Sequence, residues 1–255
     1  LLEQSGELDN TIVVMTGDHG MPFPRHKCQL YDSGTHVPLA VRWGEKVRGG
    51  RRVTDFVSLA DLAPTLLEAA GVAADEQMTG RSLLDVLRSD RAGRVDPSRD
   101  HVLTGRERHG QAQEKPNPGG YPMRAIRTDD FLYIRNFVPD RWPGGCPDSE
   151  KAYGGRAYGD CDGSPTKDFV VEHRDDPTYR VFYQLAFARR PAEELYDLEK
   201  DPHQLTNVAD EPELADVKEE LAQRLMTALK ASDDPRALGE GDEFDNYPYR
   251  RRVRR

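Results

Sequence analysis

From residue 1 to about residue 95, short apolar runs alternate with helical periodicities, and no other feature narrows the fold of this chain as much. Residues 11–15 read as a strand, residues 37–41 as a second, and residues 58–70, closed by Gly71, as a helix. Short buried strands interleaved with helices belong to α/β sheets covered on both faces. Within the helix Leu59, Leu62, Leu66 and Leu67 share one side, and Ser58 with Asp61 three residues on forms a capping box. Pro64 lacks an N–H and clashes in a helix interior, so a single turn before it and the main helix after it are expected. A shorter helix is expected over residues 82–87.

The pattern changes after residue 95. Residues 123–127 and 131–136 flank Thr128, Asp129 and Asp130 and read as a β-hairpin. Residues 139–167 are rich in Gly, Pro and Asp and read as a long surface loop, a length at which loops are often functional. Residues 194–198 form a short strand. Leu214, Val217, Leu221, Leu225 and Leu229 line one side of an amphipathic helix over 213–231. Strands with one long helix behind an α/β half suggest two domains, residues 1–95 and a smaller α+β domain over 96–255. The latter ends in Arg250, Arg251, Arg252, Arg254 and Arg255, a basic tail expected to be disordered.

Charge and composition exclude several classes. A net charge of -9 argues against a general nucleic-acid or polyanion binder. No apolar run approaches the roughly 20 residues of a membrane span. Cys28, Cys146 and Cys161 are odd in number and irregularly spaced, which indicates neither a disulfide framework nor a zinc knuckle. A Cys146–Cys161 pair in an oxidising compartment is left open.

The chemistry concentrates in Thr16-Gly17-Asp18-His19-Gly20, directly after the first strand. A loop at the C-terminal end of a strand is where α/β sheets place ligands, and Asp18 and His19 are two metal-capable side chains there. Alone, the triplet fits an Asp-capped turn with a packed His equally well. Nine residues after Asp18 comes Lys27, preceded by Arg25 and His26 in a loop stiffened by Pro22 and Pro24. Cations fixed around a divalent ion suit an anionic tetrahedral group such as sulfate or phosphate. An ordinary exposed lysine is the plainer alternative for Lys27.

Asp18-His19-Gly20, Lys27 and Leu30-Tyr31-Asp32-Ser33-Gly34-Thr35 running into Val37-Pro38-Leu39 closely resemble the metal and sulfate loop in the C-terminal half of the sulfatase family. Asp61-Leu62-Ala63-Pro64-Thr65-Leu66-Leu67, Met78-Thr79-Gly80-Arg81-Ser82 and Glu194-Leu195-Tyr196-Asp197 with Asp201-Pro202-His203 resemble further landmarks. The Pro22-Phe23-Pro24 stretch with Lys27 is most similar to the heparan N-sulfatase (N-sulfoglucosamine sulfohydrolase) branch. The resemblance implies the C-terminal part of an alkaline-phosphatase-like α/β sandwich, then a smaller α+β domain with an antiparallel sheet and one long helix. It implies Ca2+ held in part by Asp18 and His19, although His19 stands where many members have Asn and calcium prefers oxygen. It implies a sulfated saccharide as substrate, Lys27 as the catalytic cation on the sulfate, an exported protein, and a nucleophile made by oxidising Cys or Ser to formylglycine.

No Cys or Ser here begins the modification motif. Val95-Asp96-Pro97-Ser98-Arg99 imitates its last positions, but Val95 cannot be oxidised to an aldehyde. The nucleophile is therefore expected in a missing N-terminal half. In the similar proteins the region of Thr104-Gly105-Arg106-Glu107-Arg108-His109 approaches the substrate, so Arg106 and His109 are candidates for a sugar carboxylate or second sulfate, against a charged surface turn. Two alternatives remain: a phosphodiesterase or phosphatase of the same superfamily with two zinc ions, and a non-catalytic carbohydrate-binding protein.

Overall fold

The computed structural model describes residues 1–248, so the basic tail at 250–255 lies outside the described residues. The chain divides into two compact units: Leu1–Asp18 with Val37–Val102, and His19–His36 with the residues from Leu103 onward.

In the first unit Val13–Thr16 (β1) pairs antiparallel with Leu39–Arg42 (β2), Val13 opposite Arg42 and Thr16 opposite Leu39. The two strands form a ribbon of their own, and Met15 is 67% exposed, so the expected cover on both faces is not met among the described residues. Trp43, Val47 and Leu84 supply the buried apolar cluster, joined by Ile12, Ala69 and Leu87. Residues 58–70 fold as a 3-10 turn, Leu59–Asp61, leading into the helix Leu62–Ala69. Ser58 N–H donates to Asp61 Oδ2 at 3.2 Å, and the Ser58 hydroxyl accepts from Ala60 N–H at 3.2 Å. Pro64 sits in the first helical turn, where an N–H has no intrahelical acceptor and its loss costs little.

Buried Asp61 also accepts from Arg81 N–H and from the Arg99 guanidinium, both at 2.8 Å. Arg99 further donates to the carbonyls of Arg81 and Ser82. Its charge is thus fully engaged in bracing the unit, which gives the Arg that closes Val95–Arg99 a structural use. The shorter helix covers Leu84–Arg88.

The second unit is built on a four-stranded sheet in the order β3-β4-β5-β6: His101–Arg106, Met123–Thr128, Phe131–Asn136 and Glu193–Asp197, β3 belonging to this unit from Leu103 onward. The expected hairpin is β4–β5, with Ala125 opposite Ile134, and β6 runs antiparallel to β5 with Tyr133 opposite Leu195. Alternation sends the strands' side chains to two buried sides. Ile126, Tyr133 and Leu195 meet Leu221, Leu225 and Leu229 of the long helix Ala215–Ala231. Met123, Ala125, Leu132, Ile134 and Tyr196 pack instead against Leu30, Tyr31 and Tyr121. The loop that bears Lys27 is therefore the cover of one sheet face, as the long helix is of the other.

The stretch 139–167 differs from a plain surface loop. Pro143, Gly144, Gly145, Cys146, Ala152, Tyr158 and Asp160 are all buried. Tyr158 packs with Val170 of the helix Pro165–Glu172, Ala186 of the helix Arg180–Ala186, and Phe187 just after it. Cys146 and Cys161 are free thiols, as is Cys28.

Candidate anion-binding site

The loop 19–36 is fixed from below by its aromatic residue. Tyr31 is 2% exposed, and its hydroxyl donates to Glu194 Oε2 at 2.8 Å. Glu194 also accepts from the Tyr196 hydroxyl at 2.6 Å and from Asn136 Nδ2 at 2.8 Å, so the buried carboxylate is well satisfied. The Arg25 guanidinium lies 3.6 Å from the centroid of the Tyr31 ring, a cation–π contact, and donates to the Gln204 carbonyl. Asp32 pairs with Arg127 at 3.0 Å. The two ends of the loop close through Gly20 N–H donating to the Gly34 carbonyl at 2.9 Å. A Cβ at Gly34 would lie 2.3 Å from the His26 carbonyl oxygen, so only glycine lets these backbones approach.

This anchoring puts Lys27 Nζ 2.9 Å from Asp162 Oδ2. The hydrogen bond from Lys27 holds the Asp162 carboxyl below the usual carboxylate range, with His109 and His19 adding positive charge in the same direction. Of the residues singled out in the sequence, Lys27 thus touches this carboxylate, and His19 and His109 act on it through charge alone. Asp162 is 45% exposed and Lys27 20%, so the pair is worth about 0–1 kcal/mol and is readily exchanged for another anion.

Arg106 stands behind this cluster. Its side chain is 8% exposed and donates to the carbonyls of Cys28, Tyr121 at 3.3 Å and Pro143 at 2.9 Å, with Asp160 Oδ2 at 3.5 Å. Arg106 therefore ties the Lys27 loop to the segment that carries Asp160 and Asp162. Burial pushes the Asp160 carboxyl up, against the pull of Arg106 and His109. Lys167 orders the same segment from the other side, donating to the carbonyls of Tyr158 and Cys161 at 2.9 Å and Ala157 at 3.3 Å. Burial also pushes the Cys28 and Cys161 thiols up to about 11. Sequence reasoning missed Asp160 and Asp162. The only signal was the length of the Gly- and Asp-rich loop that holds them.

The sulfatase family model matches residues 1–72, which include Asp18, His19 and Lys27. An ulvan-active sulfatase of Formosa agariphila is 29% identical over 94% of this chain and 36% of its own length. The human N-sulphoglucosamine sulphohydrolase is 28% identical over 92% of this chain and 44% of its own. The chain is similar to sulfatases over most of its length. A protein solved in complex with its substrate D-glucosamine-2-N,6-O-disulfate superposes with a TM-score of 0.61 at 23% identity, covering 97% of this chain and 38% of that one. The fold is accordingly the alkaline-phosphatase-like fold of sulfatases, in its C-terminal part, with the expected antiparallel sheet and one long helix. The chain spans about two fifths of the length of these proteins.

Sulfatases use a divalent metal ion. Asp18 closes the first unit just after β1 and His19 opens the second. The exposed Asp18 carboxylate is a hard oxygen donor of the kind such ions take. His19 Nδ1 lies 2.7 Å from the Gly20 carbonyl oxygen, which orients the ring. Among the described residues no three His, Cys, Asp or Glu side chains converge to hold an ion, so the donors here fit part of a coordination sphere and not a closed one. No described helix is long and apolar enough to cross a membrane.

Proposed function

We propose that this chain is the C-terminal portion of a calcium-dependent sulfatase that removes sulfate from an amino or hydroxyl position of a sugar, with N-sulfoglucosamine the leading candidate. The observation that carries the reading is Lys27 seated on the Asp162 carboxylate at 2.9 Å, with Lys27 itself inside the segment that matches the sulfatase family model. A fixed cation on an anionic oxygen is what a sulfuryl group requires. The substrates of the similar proteins, ulvan and a glucosamine disulfate, support a sulfated saccharide.

In this reading Lys27 is the catalytic residue, donating to a sulfuryl oxygen as charge builds there in the transition state. His109 meets a substituent of the sugar. Arg106, counted as a substrate contact from sequence alone, serves the substrate by holding the Lys27 loop through the Cys28 carbonyl. Asp18 and His19 are two of the metal ligands. The ion, when bound, supplies positive charge to the sulfuryl oxygens; calcium suits a carboxylate-led set, and the remaining oxygen ligands come from elsewhere. The attacking group is a formylglycine hydrate provided by a segment outside these 255 residues. Export places the enzyme among extracellular or periplasmic saccharides.

Assay of the full-length enzyme against N-sulfated and O-sulfated saccharides tests the reading, with sulfate release expected; hydrolysis confined to phosphate esters would overturn it. Metal analysis should find about one calcium per full-length chain, reduced in Asp18→Ala, whereas a pair of zinc ions would remove the calcium assignment.

A further inference from the structure

The contact least expected of an anion site is a carboxylate already seated in it. Asp162 Oδ2 lies 2.9 Å from Lys27 Nζ, and Asp162 is carried by a segment built to keep it there. Tyr158 is buried at the start of that segment, Lys167 gathers the carbonyls of Ala157, Tyr158 and Cys161, and Ser164 caps the helix that follows by accepting from Lys167 N–H at 3.1 Å. Neighbouring Asp160 is bound to Arg106, which also holds the Cys28 carbonyl beside Lys27. The lysine and the carboxylate are thus positioned by one common scaffold.

Resting on the sulfatase reading, we propose that Asp162 is a specificity-determining residue: paired with Lys27, it tunes the site to singly charged anions and against doubly charged ones. Sulfate monoesters and sulfamates carry one negative charge, whereas phosphate monoesters, with a second pKa near 6, carry close to two above neutral pH. A substrate oxygen that takes Lys27 from Asp162 leaves that carboxylate a few ångströms away, still charged. Repulsion from it acts once on a sulfuryl group and about twice on a phosphoryl group of the same tetrahedral shape. Lys27 alone would favour the dianion; Lys27 with Asp162 does not. Because Asp162 is 45% exposed, solvent screening limits the discrimination to roughly tenfold.

The experiment compares Asp162→Asn, which keeps the shape and removes the charge, with wild type and with Asp162→Glu, all in the full-length enzyme. The inhibition constants of phenyl phosphate and phenyl sulfate are measured at pH 8 and low salt against turnover of whichever sulfated substrate the enzyme accepts. In Asp162→Asn phenyl phosphate should gain about tenfold in affinity relative to phenyl sulfate, and high salt should shrink that gain. Asp162→Glu should keep the wild-type ratio. A ratio unmoved in Asp162→Asn, or moved equally in Asp162→Glu, would overturn the inference while leaving the sulfatase reading intact. A wild-type enzyme that turns over no sulfated substrate would overturn both.

Discussion

Lys27 owes its position to the residues on either side of it. Arg25 has φ 67° and Cys28 φ 66°, both in the left-handed region that side chains seldom occupy. Such a conformation costs about 1–3 kcal/mol per residue and persists only where the surroundings hold it. Here the Arg25 guanidinium is stacked on Tyr31, and the Cys28 carbonyl accepts from Arg106. The fold thereby fixes the lysine, and in the proposed reading that is the condition under which a single cation contributes most to a transition state. Lys27→Ala in the full-length enzyme should lower kcat/KM by about a hundredfold or more; unchanged steady-state kinetics would show the site to be misassigned. The flanking thiols carry a separate expectation. With Cys28 and Cys161 both pushed up to about 11 by burial, each is protonated at neutral pH, and only the thiolate is nucleophilic. Alkylation of both by iodoacetamide should be slow at pH 8 and accelerate as the pH is raised toward 11, as followed by mass spectrometry of modified peptides.

Two elements of very different kind cover the β3–β6 sheet, one on each face. The helix Ala215–Ala231 does so by periodicity: Leu221, Leu225 and Leu229 follow at spacings of four and bury against Ile126, Tyr133 and Leu195. Leu225 is 0% exposed, so Leu225→Ala should destabilise the protein by about 2–5 kcal/mol in chemical denaturation, through lost transfer energy and the cavity left behind. The loop 19–36, apart from the helical turn Asp32–Thr35, depends on particular atoms instead, namely Tyr31 on Glu194 and the close approach of the Gly34 backbone to the His26 and Gln29 carbonyls. Gly34→Ala places a methyl 2.3 Å from one carbonyl oxygen and 2.4 Å from another. The expected loss is about 1–3 kcal/mol of stability, as for other overpacked sites. Turnover by the full-length enzyme should fall by more than that loss explains, because the loop shift displaces Lys27. A fall in melting temperature with turnover unaltered would separate the loop from the chemistry.

At the scale of the molecule, the proposed reading gives these 255 residues an anion site and places the attacking group in another segment. In the proposed reading Lys27 stabilises charge and Asp18 and His19 are part of a metal set, while no Cys or Ser in these 255 residues begins the modification motif. Calcium takes six to eight oxygens, so the two side chains here should bind it weakly. The isolated chain should therefore show no release of sulfate from N- or O-sulfated saccharides, and titration calorimetry should detect at most weak calcium binding. Turnover by the isolated chain, or tight stoichiometric calcium, would mean that both the nucleophile and the ligand set are complete within it.

Much of this was legible in order along the chain. The Ser58–Asp61 capping box, the hairpin about Thr128–Asp130, the leucine stripe of the long helix and the Asp18-to-Lys27 motif are all written in neighbouring residues. Local pattern suffices for them because caps, turns and apolar faces are made by residues a few positions apart. Tertiary structure alone decided which charges meet. Lys27 and Asp162 are 135 positions apart, Arg106 and the Cys28 carbonyl 78. Polar side chains in irregular segments carry no periodicity that records their partners. Pairing across such separations follows from where the two sheet faces, the Tyr158 core and the Tyr31 anchor bring distant backbone together, and that is a property of the folded chain rather than of any stretch of it.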